Sequence, residues 1–94
     1  MQIVWLKTAL KNLDDLSAYI AQDNTIAASQ MVNLITSQVK LLSMQPAMGR
    51  PGRVLGTREL VISNTQYLVP YRIKNNTVEV LRVFHTSRQL PTKW

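Results

Sequence analysis

The sequence contains no cysteine and only one histidine, and these two absences exclude several kinds of chemistry. Without cysteine there is no disulfide, no thiolate metal ligand and no cysteine nucleophile. A single histidine cannot build a histidine-rich metal centre. No apolar run approaches the ~18 residues that a membrane-spanning helix needs, and the N-terminus lacks the cationic start and long apolar stretch of a signal peptide. We therefore expect a cytoplasmic protein with no metal, no cofactor and no membrane association.

Glycine and proline are also few, with three and four residues among 94. The chain is 46% hydrophobic and 17% charged, a balance typical of a folded protein rather than a disordered one. Its length accommodates one domain of ordinary size. Because no repeat, low-complexity tract or linker divides it, we predict a single domain spanning residues 1–94.

Acidic residues are scarce: five stand against eleven Lys and Arg residues, which gives a net charge of +6. The first 48 residues are neutral as a group, so the whole excess lies in residues 49–94. A field of this kind attracts an acidic protein or a nucleic acid. The second half therefore predicts a cationic binding surface. Its basic residues are Arg50, Arg53, Arg58, Arg72, Lys74, Arg82, Arg88 and Lys93.

The spacing of apolar residues in the first half predicts a strand followed by two helices. Residues 2–5 form a short β-prone run. From about Thr8, which we expect to cap the first helix, apolar residues recur every three or four positions. Residues 21–24 break this pattern and offer two capping side chains to a second helix, which must end before Pro46. The stripes are Leu6, Leu10, Leu13, Leu16 and Ile20, then Ala28, Met31, Val32, Ile35, Val39 and Leu42.

In the second half the period changes to two, which predicts a β-meander after a loop over residues 46–56. Asn75 and Asn76 suit a type I′ turn between two strands, because asparagine tolerates positive φ. Pro70 has no amide to donate, so we expect it at a bulge or an unpaired edge. The predicted fold is α+β in the order β-α-α-β-β-β, with a helical hairpin packed on a mainly antiparallel sheet. The three predicted strands cover residues 58–62, 66–73 and 77 to about 86.

Three segments of the second half resemble the RelE/ParE superfamily of bacterial toxins. The most specific is the closing strand, which runs into a His-x-x-Arg-x-x-Pro turn made by His85, Arg88 and Pro91. The predicted strand and helical hairpin of the first half are similar to that superfamily in their order, so the resemblance covers nearly the whole chain. The segments are PAMGRPGRVLGTREL from residue 46, YLVPYRI from residue 67 and VEVLRVFHTSRQLP from residue 78.

The resemblance implies the toxin of a type II toxin–antitoxin system, which arrests growth and serves plasmid or chromosome maintenance. Toxins similar to ParE inhibit DNA gyrase, whereas toxins similar to RelE cleave messenger RNA on the ribosome. Both are neutralised by a cognate antitoxin, whose often acidic segment would match the +6 surface. Operator DNA is expected to be bound only through the antitoxin complex. A third alternative is a regulatory member that binds its antitoxin and has no toxic target.

Two features bear on the choice between the branches. Nucleases similar to RelE carry an arginine in the strand that here reads QYLVPYR, at a position that aligns with Leu68. Its absence favours the ParE branch, and with it gyrase inhibition. A metal-independent nuclease would use His85 for proton transfer, Glu59 as a carboxylate base and Arg88 to hold phosphate. His85 does not discriminate, because the ParE branch commonly has histidine after the closing strand too.

For the favoured branch we expect five residues to contact the target or the antitoxin. Other candidate residues have a structural role as their alternative. His85 can orient the C-terminal turn. Arg82 can form an ion pair with Glu59, since a charge within a strand is costly unless it is paired. Trp94 is expected to dock onto the domain or onto another chain. Residues displayed in glycine- and proline-rich loops are often functional. The expected contacts are Arg50, Arg53, Arg72, Arg88 and Trp94.

Overall fold

Two helices pack against one face of a six-stranded sheet in the computed structural model, which describes residues 1–88 and 93–94. The strands lie in the order β1-β5-β4-β3-β2, and β6 pairs with the start of β4. β1 runs parallel to β5, and the other pairs are antiparallel. The predicted α+β architecture is confirmed. The elements are β1 Gln2–Trp5, α1 Lys7–Ala21, α2 Thr25–Lys40, a 3₁₀ turn Leu41–Ser43, β2 Arg50–Pro51, β3 Arg58–Val61, β4 Tyr67–Lys74, β5 Thr77–Val80 and β6 Phe84–His85.

The two helices follow the predicted stripes with two corrections. Thr8 does not cap α1, because the chain turns directly out of β1 and Leu6 takes the cap position, its amide donating to the Val80 carbonyl at 3.0 Å. Ala9 is buried where the stripe placed Leu10, which is 47% exposed. The cap of α2 is confirmed, since the Asn24 side chain accepts from the Ala27 amide at 2.9 Å. In the described part of the chain, neither helix is long and apolar enough to cross a membrane.

The core lies between the helices and one face of the sheet. Period-two alternation places Val69 and Tyr71 of β4 on this face, and both are fully buried. Leu60 of β3 lies opposite Val69, and Val80 of β5 lies opposite Tyr71. The side chains that fill the core are Ala9, Leu16, Ile35, Val39, Leu42, Leu60, Ile62, Val69, Tyr71, Val78, Val80 and Val83.

The closing strand is not continuous, contrary to the prediction of one strand from residue 77 to about 86. Tyr71 lies opposite Val80, whereas Leu68 lies opposite Phe84. Two residues of β4 therefore oppose three residues of the segment 81–83. One extra residue on one strand is the definition of a β-bulge.

Pro70 sits at this bulge, which confirms its predicted position. Lacking an amide, it cannot support a regular ladder with the neighbouring strand. Its carbonyl still accepts a hydrogen bond from the Leu81 amide at 2.9 Å. The Val83 amide turns away from the sheet and donates to Oδ1 of Asn12 in α1 at 3.2 Å. The bulge thus redirects the chain after β5 and ties it to the first helix.

Asparagines shape the turns of the meander. Asn75 and Asn76, between β4 and β5, have φ angles of 51° and 58°, as the predicted type I′ turn requires. Asn64, between β3 and β4, has φ of 62°. These positive angles favour asparagine over most other residues with a side chain.

Strand β2 lies inside the segment that we predicted to be a loop. Its two residues pair with β3, with Arg50 opposite Glu59 and Pro51 opposite Arg58. Gly49 and Gly52 flank it. A run of two residues is too short to show the alternating pattern from which a strand is predicted.

The hydroxyl of Tyr71 holds the segment that leads into β2. It accepts a hydrogen bond from the Gly49 amide at 2.9 Å and donates one to the Pro46 carbonyl at 2.7 Å. A Cβ on Gly49 would lie 2.6 Å from the Tyr71 ring and hydroxyl. Glycine is therefore required at residue 49 to let the backbone approach the tyrosine.

Tyr71→Phe is expected to lower the free energy of unfolding by about 1–3 kcal/mol, because it leaves a buried amide and a carbonyl without their partner. Chemical denaturation of the purified protein measures the change. Tyr19→Phe is the matched control: Tyr19 is 72% exposed, so its loss of a hydroxyl should change stability by less than about 0.5 kcal/mol. Equal stability of the two variants would contradict a structural role for the Tyr71 hydroxyl.

Candidate functional site

A buried carboxylate organises the cationic half of the protein. Glu59 is 1% exposed and lies on the sheet face away from the helices, directly across from Pro70. Its two oxygens accept five hydrogen bonds. Arg53 supplies three, from Nε at 2.9 Å, Nη2 at 3.1 Å and its main-chain amide at 3.1 Å. Arg50 supplies two, from Nε at 3.3 Å and Nη2 at 3.1 Å. We call these three side chains the Glu59 clamp.

The clamp determines the charge state of its carboxylate. Hydrogen bonds from Arg53 outweigh the effect of burial and lower the pKa of Glu59 from 4.5 to about 2. The same contact raises the pKa of Arg53. Glu59 is therefore ionised at neutral pH and has no affinity for a proton there. This state does not suit the carboxylate base that we considered for a nuclease.

The predicted ion pair between Arg82 and Glu59 is wrong. Arg82 follows β5 in the bulged segment and donates to the main-chain carbonyl of Leu81 at 2.7 Å and to that of Trp94. Glu59 instead takes its partners from β2 and the loop after it, because Arg50 lies directly opposite in the register. Arg82 thus holds Trp94 against the domain.

Two further cations of the sheet lie on the same face as the clamp. Arg72 and Lys74 of β4 share the sheet face of Glu59, since the side chains of a strand alternate. Arg72 forms an ion pair with Glu79 of β5 at 2.6 Å. The side chains of Arg50 and Arg72 are 54% and 43% exposed even in their ion pairs. The expected contact residues Arg50, Arg53 and Arg72 are thus grouped on one face, and their contact with a partner stays a prediction.

A cleft of about 570 Å³ lies on the helix side, between α1 and the end of the closing strand. It brings together His85 and Arg88, the two candidates of the closing turn, with Tyr67 of β4. Burial raises the pKa of Tyr67, so its phenol stays protonated at neutral pH. The cleft is lined by Asn12, Asp15, Leu16, Tyr19, Tyr67, Arg82, Val83, Phe84, His85, Ser87 and Arg88.

The contacts of His85 match the structural role that we predicted as the alternative to proton transfer, which is to orient the C-terminal turn. Nδ1 accepts a hydrogen bond from the Ser87 amide at 3.2 Å and lies 2.6 Å from the Ser87 hydroxyl. The Arg88 amide donates to the His85 carbonyl at 3.1 Å. The imidazole meets the Tyr67 ring edge-to-face, with centroids 5.0 Å apart. His85 therefore orients the turn that carries Arg88.

The nuclease candidates do not converge. His85 lies opposite Tyr67, on the helix side of the sheet, whereas Glu59 lies opposite Pro70, on the other side. The two side chains cannot reach one scissile bond, because the sheet separates them. Leu68, which stands at the position of the nuclease arginine, is 1% exposed. In the described residues, no three His, Asp or Glu side chains lie close enough to hold a metal ion.

The C-terminal residues are described in part. Trp94 packs edge-on against Phe84, with ring centroids 5.4 Å apart, which is the docking onto the domain that we predicted as one alternative. Pro91, the last residue of the predicted His-x-x-Arg-x-x-Pro turn, lies outside the described residues. A contact of Trp94 with a partner stays a prediction.

Sequence reasoning missed the contribution of α1 to the cleft. That contribution comes from Asn12, Asp15, Leu16 and Tyr19, of which only Leu16 was predicted, as a member of the core stripe. A polar residue such as Asn12 next to an apolar stripe could have suggested a buried partner. Nothing in the sequence indicated that this partner would be the amide of a bulge 71 residues away.

Comparison with known families gives one match over most of the chain. Residues 3–90 match the model of the ParE toxin of the type II toxin–antitoxin system parDE.

Two relatives are similar to this chain along nearly their whole length. A protein of Sinorhizobium fredii named "Putative toxin Y4kP" is 44% identical over 90 residues, which cover 96% of this chain and 93% of that protein. "Toxin RelE2" of Caulobacter vibrioides is 30% identical over 87 residues, which cover 93% and 97%. Among solved structures, a chain of the chromosomal ParDE system from P. aeruginosa superimposes with a TM-score of 0.81 at 28% identity, covering 90% of this chain and 95% of that one.

Glu59→Gln is expected to lower the free energy of unfolding by about 3 kcal/mol at pH 7, because it leaves two guanidinium groups without a carboxylate. A carboxyl whose pKa is lower in the folded state stabilises above its unfolded value, here 4.5, and loses that effect as the pH falls toward 2. The difference between wild type and variant should therefore shrink by about half between pH 5 and pH 3. Urea unfolding across this range measures it.

Glu79→Gln is the matched control for this titration. Its ion pair with Arg72 is more exposed, and such pairs contribute about 0–1 kcal/mol. A difference for Glu59→Gln that stayed constant from pH 7 to pH 3 would contradict a clamp held by an ionised carboxylate.

Proposed function

Since this chain belongs to the family of ParE toxins of type II toxin–antitoxin systems, we propose that it inhibits DNA gyrase in the cytoplasm and thereby blocks replication. Membership of the family implies a cognate antitoxin, which we propose neutralises the toxin. In this proposal the protein performs no bond chemistry and acts by binding. Operator DNA would be bound only by the complex with the antitoxin.

The observation that supports binding over cleavage is the separation of the nuclease candidates. A metal-independent ribonuclease needs an acid and a base on either side of one phosphodiester. Here Glu59 is ionised with a pKa of about 2 and is on the opposite sheet face from His85. Leu68 leaves the sheet without the arginine of the nuclease branch. Two of the three nuclease candidates, His85 and Glu59, thus make structural contacts of their own.

Charge supports a protein partner with acidic character. All of the net +6 comes from residues 49–94, and exposed guanidinium groups of Arg50 and Arg72 lie on one sheet face. Complementary charge accelerates encounter and selects the partner's orientation. Both an acidic antitoxin segment and an acidic surface of the target would meet this requirement.

Ribosome-dependent cleavage of messenger RNA is the second candidate, and the cleft favours it. His85, Arg88 and Tyr67 line one cavity of about 570 Å³, and the chain is 30% identical to a protein named Toxin RelE2. A histidine, a cation and a phenol would serve proton transfer and phosphate binding. This candidate would have to operate without Glu59, which lies on the other face of the sheet.

Purified toxin incubated with gyrase and relaxed plasmid is expected to inhibit supercoiling and to cause linear DNA to accumulate. Addition of the cognate antitoxin should reverse both effects. A preparation that arrests growth yet leaves gyrase unaffected at micromolar concentration would contradict gyrase as the target, and mapping of message cleavage would then test the second candidate.

His85→Ala separates the two candidates in the same preparations. Gyrase inhibition should persist in this variant, because the imidazole orients a turn and performs no chemistry in the favoured mechanism. Growth arrest should also persist. Loss of growth arrest, with the fold and the antitoxin affinity intact, would support the nuclease instead.

A further inference from the structure

The loop between β2 and β3 presents an apolar side chain at its tip. Leu55 is 100% exposed, the highest exposure among the large hydrophobic residues described. Single exposed hydrophobic residues are common on protein surfaces, so the exposure of Leu55 gains meaning only from the ordered, cationic segment that carries it. The Leu55 side chain is fully exposed at the tip of a loop that begins at Gly52 and ends at Thr57. We call this segment the 52–57 loop.

The 52–57 loop is closed by its own hydrogen bonds. The Gly52 amide donates to the Thr57 carbonyl at 2.8 Å. At the tip, the Val54 carbonyl accepts from the Thr57 amide at 3.1 Å and from the Thr57 hydroxyl at 2.7 Å. Gly56 has φ of 81°, a conformation that glycine adopts without strain. Leu55 is thus held on a fixed turn.

The Glu59 clamp fixes the base of the same loop. Arg53 lies within the loop and Arg50 immediately before it, and both bind the buried carboxylate. Their side chains remain 34% and 54% exposed beside the tip. A buried ionised carboxylate carries a desolvation penalty, and here it orders a surface loop. The result is one leucine beside two partly exposed guanidinium groups, which together with the ionised Glu59 carry a net positive charge.

This surface is distant from the cleft. The 52–57 loop lies beside Arg72 and Ile73, near the end of β4, with which Gly56 and Thr57 form a small hollow of about 290 Å³. The cleft lies at the start of β4, beside Tyr67. Ile73 lies six positions further along the strand than Tyr67, which corresponds to about 20 Å. The two surfaces can therefore serve two partners.

We propose that the 52–57 loop is the element by which this toxin engages its target protein: Leu55 enters an apolar pocket whose rim carries carboxylates that face Arg50 and Arg53. The inference rests on the proposed function in one respect, which is that the target is a protein, namely gyrase. A leucine offers nothing to phosphate or to base edges, which arginine, lysine and aromatic side chains recognise. A preordered loop also loses little conformational entropy on binding, which favours affinity.

Leu55→Ser tests the anchor. It should weaken gyrase inhibition about 10- to 100-fold, the effect expected when one apolar anchor leaves its pocket. The midpoint of thermal unfolding and the affinity for the antitoxin should not change, because Leu55 has no packing to lose. Ile26→Ser is the matched control: Ile26 of α2 is 69% exposed, so the same loss of apolar surface there should alter inhibition less than about twofold.

Leu55→Lys and Leu55→Glu test the charge of the rim. Both remove the apolar anchor, but the lysine would face carboxylates and the glutamate would be repelled by them. We expect Leu55→Glu to inhibit at least about tenfold less than Leu55→Lys at low ionic strength, with the gap closing as salt is added. Equal inhibition by the two variants would overturn the acidic rim.

Inhibition by Leu55→Ser at the wild-type level would overturn the proposal and leave gyrase inhibition standing. Loss of antitoxin affinity with full inhibition would overturn it too, and would assign the loop to the antitoxin. If the wild type failed to inhibit gyrase, growth arrest would replace the assay. Arrest by Leu55→Ser would then overturn the proposal, whereas arrest lost in Leu55→Ser and kept in Ile26→Ser would support it for another target protein.

Discussion

The ionised carboxylate of Glu59, buried within the sheet, is the constraint on which the cationic half of this protein depends. A charge at 1% exposure is tolerated only with partners on every side, and five hydrogen bonds from two arginines provide them. Because both arginines come from β2 and the loop after it, satisfying the carboxylate also fixes the position of that segment. A stretch rich in glycine and proline, which would otherwise have few contacts, becomes an ordered edge of the sheet. The same bonds keep Glu59 from acting as a base.

Pro70 has a comparable influence on the other end of the molecule. Since it cannot donate to a ladder, the closing strand bulges opposite it, and the chain beyond β5 is displaced by one residue. Because of that displacement, the Val83 amide donates a hydrogen bond to Asn12, and His85 lies on the helix side of the sheet, against Tyr67. The cleft between α1 and the closing turn follows from this arrangement. His85 and Glu59 consequently lie on opposite faces of the sheet, a separation that supports the proposed action by binding.

The central strand β4 carries a different surface at each of its ends. At its start lies a cleft of mixed character, with tyrosines, a histidine and an arginine. Near its end lies the cationic 52–57 loop with an apolar tip. A toxin of a type II system binds both a target and an antitoxin. Two surfaces about 20 Å apart along a strand allow these two partners to bind through different contacts. Residues 68–71 of strand β4 are buried, and the strand pairs with β3 on one side and with β5 and β6 on the other. It therefore holds the two surfaces at a constant separation.

The architecture could be predicted from local signals alone, since helical and strand periods, the asparagine turn and the cap of α2 are each encoded in neighbouring residues. The sequence also located the cationic half and the closing turn whose resemblance identified the family. It could not determine which of eight cations would pair with Glu59, since that depends on the register of β2 against β3, and two residues carry no periodic signal. Tertiary packing likewise decided the one-residue shift at Pro70 and the exposure of Leu55. It is also the reason that Thr8 does not cap α1 and that Leu10 is not in the core. Local preference sets which elements form, whereas the pairing of distant strands sets which side chains meet.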